Sequence, residues 1–168
     1  MEDLNKKLEN ITNDDIQLFS LNGQTNIGKV VEMYDGDTCK IVMLVGNDLL
    51  KFSCRLLGLD TPEMKPPLDK PNRDIEILNA NKCRNRLLQL STSCNCTVDT
   101  IIKKTEIKTL LKTNKKIIVV KCHEFDKYGR LLVELLPIGT TDKTINQILI
   151  DEGYAKAYDG GTKDVFTY

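Results

Sequence analysis

Three short apolar runs follow one another in the first half of the chain, and each ends at a turn signal. Residues 29–34 are rich in β-branched side chains and end at an Asp-Gly dipeptide, the strongest short hairpin signal. Further runs cover 39–45 and 49–57. Alternation in the third run puts its apolar residues on one face and Arg55 on the polar face. Three strands joined by tight turns predict a β-meander.

A proline turn ends the meander, and a helix is expected to follow it. Residues 64–71 contain three prolines and are predicted to form a surface loop. Apolar residues then recur at three- and four-residue steps up to position 90. This spacing predicts an amphipathic helix that begins at Asn72 or Asp74 and ends near Ser91.

The second half of the chain is harder to interpret. Residues 94–111 fit neither a helical nor a strand period, and we expect one or two strands there. Clearer strands are predicted at 116–120 and 131–136. Five or so strands with an intervening helix favour an α+β protein with a mainly β core, a five-stranded Greek-key barrel of the OB type.

A second, short helix is expected near the C-terminus, which gives two or so helices in all. Thr144 and Gln147 form a capping-box pattern, and Gly153 is a plausible C-terminal stop. The expected organisation is an N-terminal extension at 1–25, one domain at 26–159 and a tail at 160–168.

Charge and hydropathy restrict the function classes. The chain has 24 basic and 24 acidic residues, so it carries no global basic field for polyanions. Residues 103–121 hold seven lysines and one glutamate, which indicates either a nucleic-acid patch or solvated strand and loop faces. No apolar run reaches 18 residues and no leader pattern is present, so we expect no membrane partner and an intracellular, cytoplasmic location.

Six cysteines are present, and without a secretion signal they are expected to be reduced thiols. An alternative is a zinc site built from Cys94, Cys96, Cys122 and His123.

The candidate chemistry lies at the strand ends. Asp37, Asp60 and Glu63 offer hard oxygen ligands that suit calcium or magnesium. Arg55 and Arg130 offer permanently charged forks that match a phosphate. Together these residue types permit phosphodiester hydrolysis. The alternative is an ordinary ion-pair network at the surface.

Three segments in order resemble the signature segments of the staphylococcal nuclease (thermonuclease) family. They are Val-Val-Glu-Met-Tyr-Asp-Gly-Asp-Thr at 30–38, Arg-Leu-Leu-Gly-Leu-Asp-Thr-Pro-Glu at 55–63, and Asp-Lys-Tyr-Gly-Arg at 126–130. The resemblance covers residues 27–159. It implies an OB-fold, calcium-dependent nuclease that hydrolyses DNA and RNA with little sequence preference and leaves 3′-phosphate ends.

The resemblance also implies a metal site. By position, Asp37 and Asp60 would bind calcium through their carboxylates and Thr61 through its backbone carbonyl. Asp35 would lie behind these ligands.

The remaining roles concern water and phosphate. Glu63 would hold and deprotonate the attacking water, and Arg55 and Arg130 would stabilise the transition-state charge. The residues implied to contact the nucleotide are Lys127, Tyr128 and Tyr158.

Family nucleases are commonly basic and secreted, whereas this chain is neutral and has no leader pattern. The main alternative is a non-catalytic module that binds nucleic acid or protein, as in degenerate nuclease-like domains fused to Tudor domains. Such modules usually lack several active-site acids and arginines, which this chain retains. We expect a monomer.

Overall fold

The computed structural model describes residues 1–140 and 142–168. The elements, in chain order, are α1 (Glu2–Asn10), β1 (Thr25–Met33), β2 (Thr38–Val45), β3 (Asp48–Leu56), β4 (Leu59–Asp60), α2 (Arg73–Ser91), α3 (Lys104–Lys112), β5 (Ile118–Phe125), β6 (Leu131–Pro137), α4 (Ile145–Asp151) and β7 (Lys156–Ala157).

Five strands close into a barrel in the order β1-β2-β3-β6-β5. The meander β1-β2-β3 is antiparallel, β6 runs parallel to β3, and β5 pairs antiparallel with both β6 and β1. Closure of the barrel leaves none of these five strands at a free sheet edge. The predicted five-stranded OB-type barrel with a mainly β core is confirmed.

Alternate side chains of the strands point inward and fill the barrel. On β2, Cys39, Ile41 and Met43 are buried, whereas the intervening side chains are at least partly exposed. Gly28 of β1 lies over this layer, because a Cβ there would stand 2.8 Å from Ile41 Cγ2 and 3.0 Å from Val120 Cγ2. The glycine therefore permits close packing inside the barrel.

The long helix α2 supplies a second layer of the core. Its N-cap is Asn72, one of the two starts that the sequence allowed, and its last residue is Ser91, as predicted. Ala80, Cys83 and Leu87 on its inner face are fully buried. This face packs the helix onto the barrel.

The prediction of strands within residues 94–111 is wrong, because the segment is an irregular loop followed by α3. Ile107 and Leu111 are four residues apart and both are buried in the core. Their helical spacing was hidden among the apolar residues of the preceding loop. Glu106 helps α3 begin, since its carboxylate accepts a 2.8 Å hydrogen bond from the Lys103 backbone N–H.

The short helix predicted near the C-terminus is α4. Thr144 caps α4 as expected, because its hydroxyl accepts a 3.1 Å bond from the Gln147 N–H.

The described residues contain four helices, of which α1 buries none of its residues. Leu21 is fully buried in the barrel core although it precedes position 26. The boundaries proposed at 25 and 159 stay predictions.

None of the helices in 1–140 and 142–168 combines the length and the apolar character needed to span a bilayer.

Candidate functional site

The turn between β1 and β2 is organised by one carboxylate. Asp35 Oδ1 accepts hydrogen bonds from the backbone N–H groups of Asp37, at 3.1 Å, and Thr38, at 2.8 Å. The Thr38 hydroxyl in turn donates to Asp37 Oδ1 at 2.9 Å. These bonds hold the buried Asp37 side chain at the start of β2.

Arg55 lies at the end of β3 with only 13% of its side chain exposed. Its Nη2 contacts Asp37 Oδ2 at 3.0 Å and Asp60 Oδ1 at 3.5 Å. Its Nη1 donates to the carbonyls of Leu56, at 3.3 Å, and Leu59, at 3.2 Å. One guanidinium therefore joins two carboxylates, one from the turn before β2 and one from β4.

The small sheet β4-β7 positions the other half of this cluster. Asp60 pairs with Lys156 across the sheet, and the Tyr158 N–H donates to the Gly58 carbonyl at 2.9 Å. The Tyr158 ring centre lies 6.0 Å from Arg55 Cζ. Asp60 and the adjacent Thr61 are both buried.

Negative charge is crowded at this point. Burial and the neighbouring Asp37 raise the pKa of Asp35 to about 7, although hydrogen bonds from the backbone N–H groups of Asp37 and Thr38 oppose the shift. A carboxyl group whose pKa is shifted by burial and by a specific charged neighbour is a feature of candidate functional sites.

A second group of predicted site residues lies in the turn between β5 and β6. Asp126 Oδ1 accepts from the backbone N–H groups of Tyr128 and Arg130, both at 2.9 Å, and its Oδ2 accepts from Arg130 Nε at 2.7 Å. Burial tends to raise the pKa of Asp126, but these bonds outweigh it and the pKa is lowered. The exposed Tyr128 ring lies 5.1 Å from Lys127 Nζ and 5.3 Å from Arg130 Cζ.

Strand register relates this turn to Arg55. Arg55 pairs with Leu132 in the parallel β3-β6 ladder. Arg130 immediately precedes β6 and is two residues before Leu132, which corresponds to about 7 Å of extended chain. No hydrogen bond or ion pair links Arg130 directly to Arg55, Asp37 or Asp60 in the part of the chain that is described.

Glu63 follows the proline turn and has an exposed side chain. Its backbone N–H donates at 3.1 Å to Oε1 of the buried Glu76 on α2. Glu76 also pairs with Lys70. These contacts fix the backbone at Glu63 and leave its carboxylate free to face solvent.

Two residues that contact predicted site residues were not identified from the sequence. Glu76 shares a helical face with Ala80 and Cys83, and this spacing was the available signal for its burial. Lys163, in the C-terminal tail, contacts Asp60 Oδ1 at 2.8 Å, and this hydrogen bond raises the pKa of Lys163. No local pattern marks Lys163.

The alternative zinc site is not formed. Cys94 Sγ donates to the Leu110 carbonyl, Cys96 Sγ to the Asn85 carbonyl, and His123 pairs with Glu134 at 2.9 Å. Within 1–140 and 142–168, no group of three or more histidine, cysteine, aspartate or glutamate residues is arranged to hold a metal ion. A calcium site at Asp37 and Asp60 would thus need the Thr61 carbonyl and further oxygens from water or substrate.

A groove of about 550 Å³ lies between α3 and the preceding loop, and its lining does not include Asp37, Arg55 or Asp60. Cys96 and Glu106 are its ionisable lining residues. The groove therefore does not offer the donors found beside Arg55.

A comparison with known protein families matches the part of the chain that contains most of the predicted site residues. No curated protein matches the chain. A family model described as staphylococcal nuclease homologue matches residues 53–167. The match includes the positions of Arg55, Asp60, Glu63 and Arg130, and Asp37, which precedes it, contacts Arg55 directly. With more than half of its length matched, the chain belongs to the staphylococcal nuclease homologue family.

Proposed function

We propose that this protein is a calcium-dependent nuclease that hydrolyses phosphodiester bonds of DNA and RNA with little sequence preference and leaves 3′-phosphate ends. The observation that carries the proposal is the position of Arg55, nearly buried between Asp37 and Asp60 at the end of β3. A phosphate-binding fork beside two hard oxygen ligands is the combination that phosphodiester hydrolysis requires.

The donor set fits a calcium ion. The Asp37 and Asp60 carboxylates are hard oxygen donors that lie on either side of the same cationic group, and burial together with the Asp37 charge raises the pKa of the adjacent Asp35. Asp37, Asp60 and the Thr61 carbonyl would hold the ion. When bound, calcium would supply positive charge that offsets phosphate repulsion and lowers the pKa of a coordinated water.

The remaining roles belong to side chains of this protein. The exposed Glu63 carboxylate would accept a proton from the attacking water. Arg55 and Arg130 would donate to the phosphate oxygens as charge accumulates in the transition state. Lys127 and Tyr128 would contact the nucleotide beside Arg130, in the turn between β5 and β6. Tyr158 would contact it beside Arg55.

The experiment is the release of acid-soluble nucleotides from heat-denatured DNA and from RNA, with calcium or with EDTA. Arg55→Ala, Arg130→Ala and Glu63→Gln should each reduce the calcium-dependent rate by about 10²- to 10³-fold, because each removes a group that acts on the reacting phosphate or water. Circular dichroism should show that each variant remains folded.

Arg86→Ala is the matched control for the arginine variants. Arg86 is 27% exposed and paired with Glu152, much as Arg130 is 29% exposed and paired with Asp126. Its loss should leave the rate within about twofold of the wild type. Nucleic-acid binding without calcium-dependent release would instead support the non-catalytic module.

A further inference from the structure

The net neutrality of the chain conceals a strong separation of charge. Residues 103–121 contain seven lysines and one glutamate, which leaves 17 basic and 23 acidic residues for the rest of the chain. Residues 103–121 therefore carry a net positive charge, and the rest of the chain carries a net negative charge. The local field near residues 103–121 is positive although the protein as a whole is neutral.

Helix α3 displays the centre of this charge on one outward face. Lys104, Lys108 and Lys112 occupy every fourth position and are all exposed. They form what we call the basic face, a row with about 6 Å between successive lysines along the helix axis. The adjacent face is anchored in the core by Ile107 and Leu111, which are 1% and 4% exposed.

The basic face is not neutralised by the protein. In 1–140 and 142–168, no ion pair involves any of its three lysines. The carboxylate of the nearby Glu106 accepts from the Lys103 backbone N–H and forms no ion pair with these lysines. The three ammonium groups are therefore available to an external anion.

The support beneath α3 is rigid. The Asn114 side chain is buried, and it donates to the Val30 carbonyl of β1 at 3.0 Å while accepting from the Ser93 N–H at 3.0 Å. Arg84 of α2 donates to the Ile102 carbonyl at 2.7 Å just before α3 begins. A ligand would not have to order this helix, which lowers the entropic cost of binding.

We propose that the basic face of α3 binds the phosphate backbone of nucleic acid as a second contact surface, in addition to the cluster of Asp37, Arg55 and Asp60 at the strand ends. The row of ammonium groups matches a densely charged linear polyanion, since duplex DNA carries one negative charge per about 1.7 Å of axis. Backbone contacts carry no sequence information, in keeping with a non-selective nuclease. The inference deepens the proposed function and rests on it for the identity of the polyanion.

An anionic membrane is the less favoured partner. Basic helices that lie on membranes insert apolar side chains beside their charges. In α3 the apolar residues Ile107 and Leu111 are buried against the barrel and cannot be inserted.

The test is duplex binding in EDTA, where calcium-dependent cleavage cannot occur. Fluorescence anisotropy with a labelled 20-base-pair duplex should be measured over a KCl series for the wild type and for Lys104→Gln/Lys108→Gln/Lys112→Gln. Loss of three phosphate contacts should make the negative slope of log K against log[KCl] shallower by about 2.7 and weaken binding about tenfold or more at low salt.

A control variant of equal charge is available. Lys6, Lys7 and Lys143 are exposed and lie outside the basic segment, so Lys6→Gln/Lys7→Gln/Lys143→Gln removes the same charge. This control should keep a slope within about 0.5 of the wild type. An unchanged slope in the α3 variant, or an equal fall in the control, would overturn the assignment of the surface.

Two further outcomes separate the competing explanations. If the α3 variant shows the slope change but the wild type never cleaves with calcium, the nuclease proposal fails and the α3 surface stands. If the α3 variant loses binding to vesicles of phosphatidylcholine and phosphatidylserine but keeps duplex binding, the surface recognises membranes and the inference is wrong.

Discussion

Gly36 provides a sharp test of how the turn between β1 and β2 is supported. A Cβ at this position would lie 2.3 Å from Cys83 Sγ, 2.9 Å from Cys83 Cβ and 3.1 Å from Thr61 Cγ2. Both Gly36 and Cys83 are buried, so neither side can yield into solvent. The glycine between Asp35 and Asp37 is thus required by the close approach of α2.

Gly36→Ala should therefore destabilise the fold by overpacking. Inserting a methyl group into a well-packed core costs about 1–3 kcal/mol. For a protein of 168 residues this corresponds to a fall in Tm of roughly 2–12 °C. The measurement is thermal and urea unfolding followed by circular dichroism, in EDTA so that metal binding does not contribute.

A double-mutant cycle with Cys83→Ala identifies the cause. Removing the sulfur deletes the closest contact but keeps the one at 2.9 Å, so the double variant should recover part of the loss. Gly46→Ala is the control, because Gly46 has a φ of +61° and nothing within 4 Å of its Cβ position. Its cost comes from backbone conformation and should simply add to that of Cys83→Ala. Wild-type stability in Gly36→Ala, or strict additivity with Cys83→Ala, would refute this reasoning.

Two other predictions concern the same cluster. Because the pKa of Asp35 is raised to about 7 in the fold, its contribution to stability is present below about pH 4 and is lost as the pH rises through 7. Asp35→Asn keeps the side-chain acceptor, so in EDTA its stability relative to the wild type should increase from pH 4.5 to 7.5 in urea unfolding; a pH-independent difference would contradict the shift. Lys163→Gln should tighten calcium binding by up to about fivefold in calorimetry, since a half-exposed ion pair is worth at most about 1 kcal/mol. Lys143→Gln is the control, because Lys143 is equally exposed at 54% and pairs with Asp151 instead; weaker calcium binding in Lys163→Gln would show that Lys163 supports Asp60 rather than competing for it.

Much of the fold could be predicted because its signals are local. The alternation in β3 and the Asp-Gly turn before β2 depend on neighbouring residues, and the structure places Arg55 on the polar face as that alternation requires. The start of α4 likewise followed from Thr144 and Gln147. Short-range patterns of this kind need no knowledge of the tertiary contacts.

The parts that could not be predicted depend on distant segments. Lys163 and Asp60 are 103 residues apart, and no periodicity links them. The contact between Gly36 and Cys83 arises only when α2 packs on the barrel. Helix α3 was mistaken for strand because the apolar loop residues before it obscured the spacing of Ile107 and Leu111.

The proposed function assigns calcium-dependent hydrolysis to Asp37, Arg55 and Asp60 together with Glu63 and Arg130. A calcium titration of nucleotide release from heat-denatured DNA, by the wild type and by Glu63→Gln, tests this proposal. We expect no release in EDTA, saturable release with calcium, and a rate at least about 10²-fold lower in Glu63→Gln. A folded wild-type protein that binds DNA but releases nothing at any calcium concentration would contradict it.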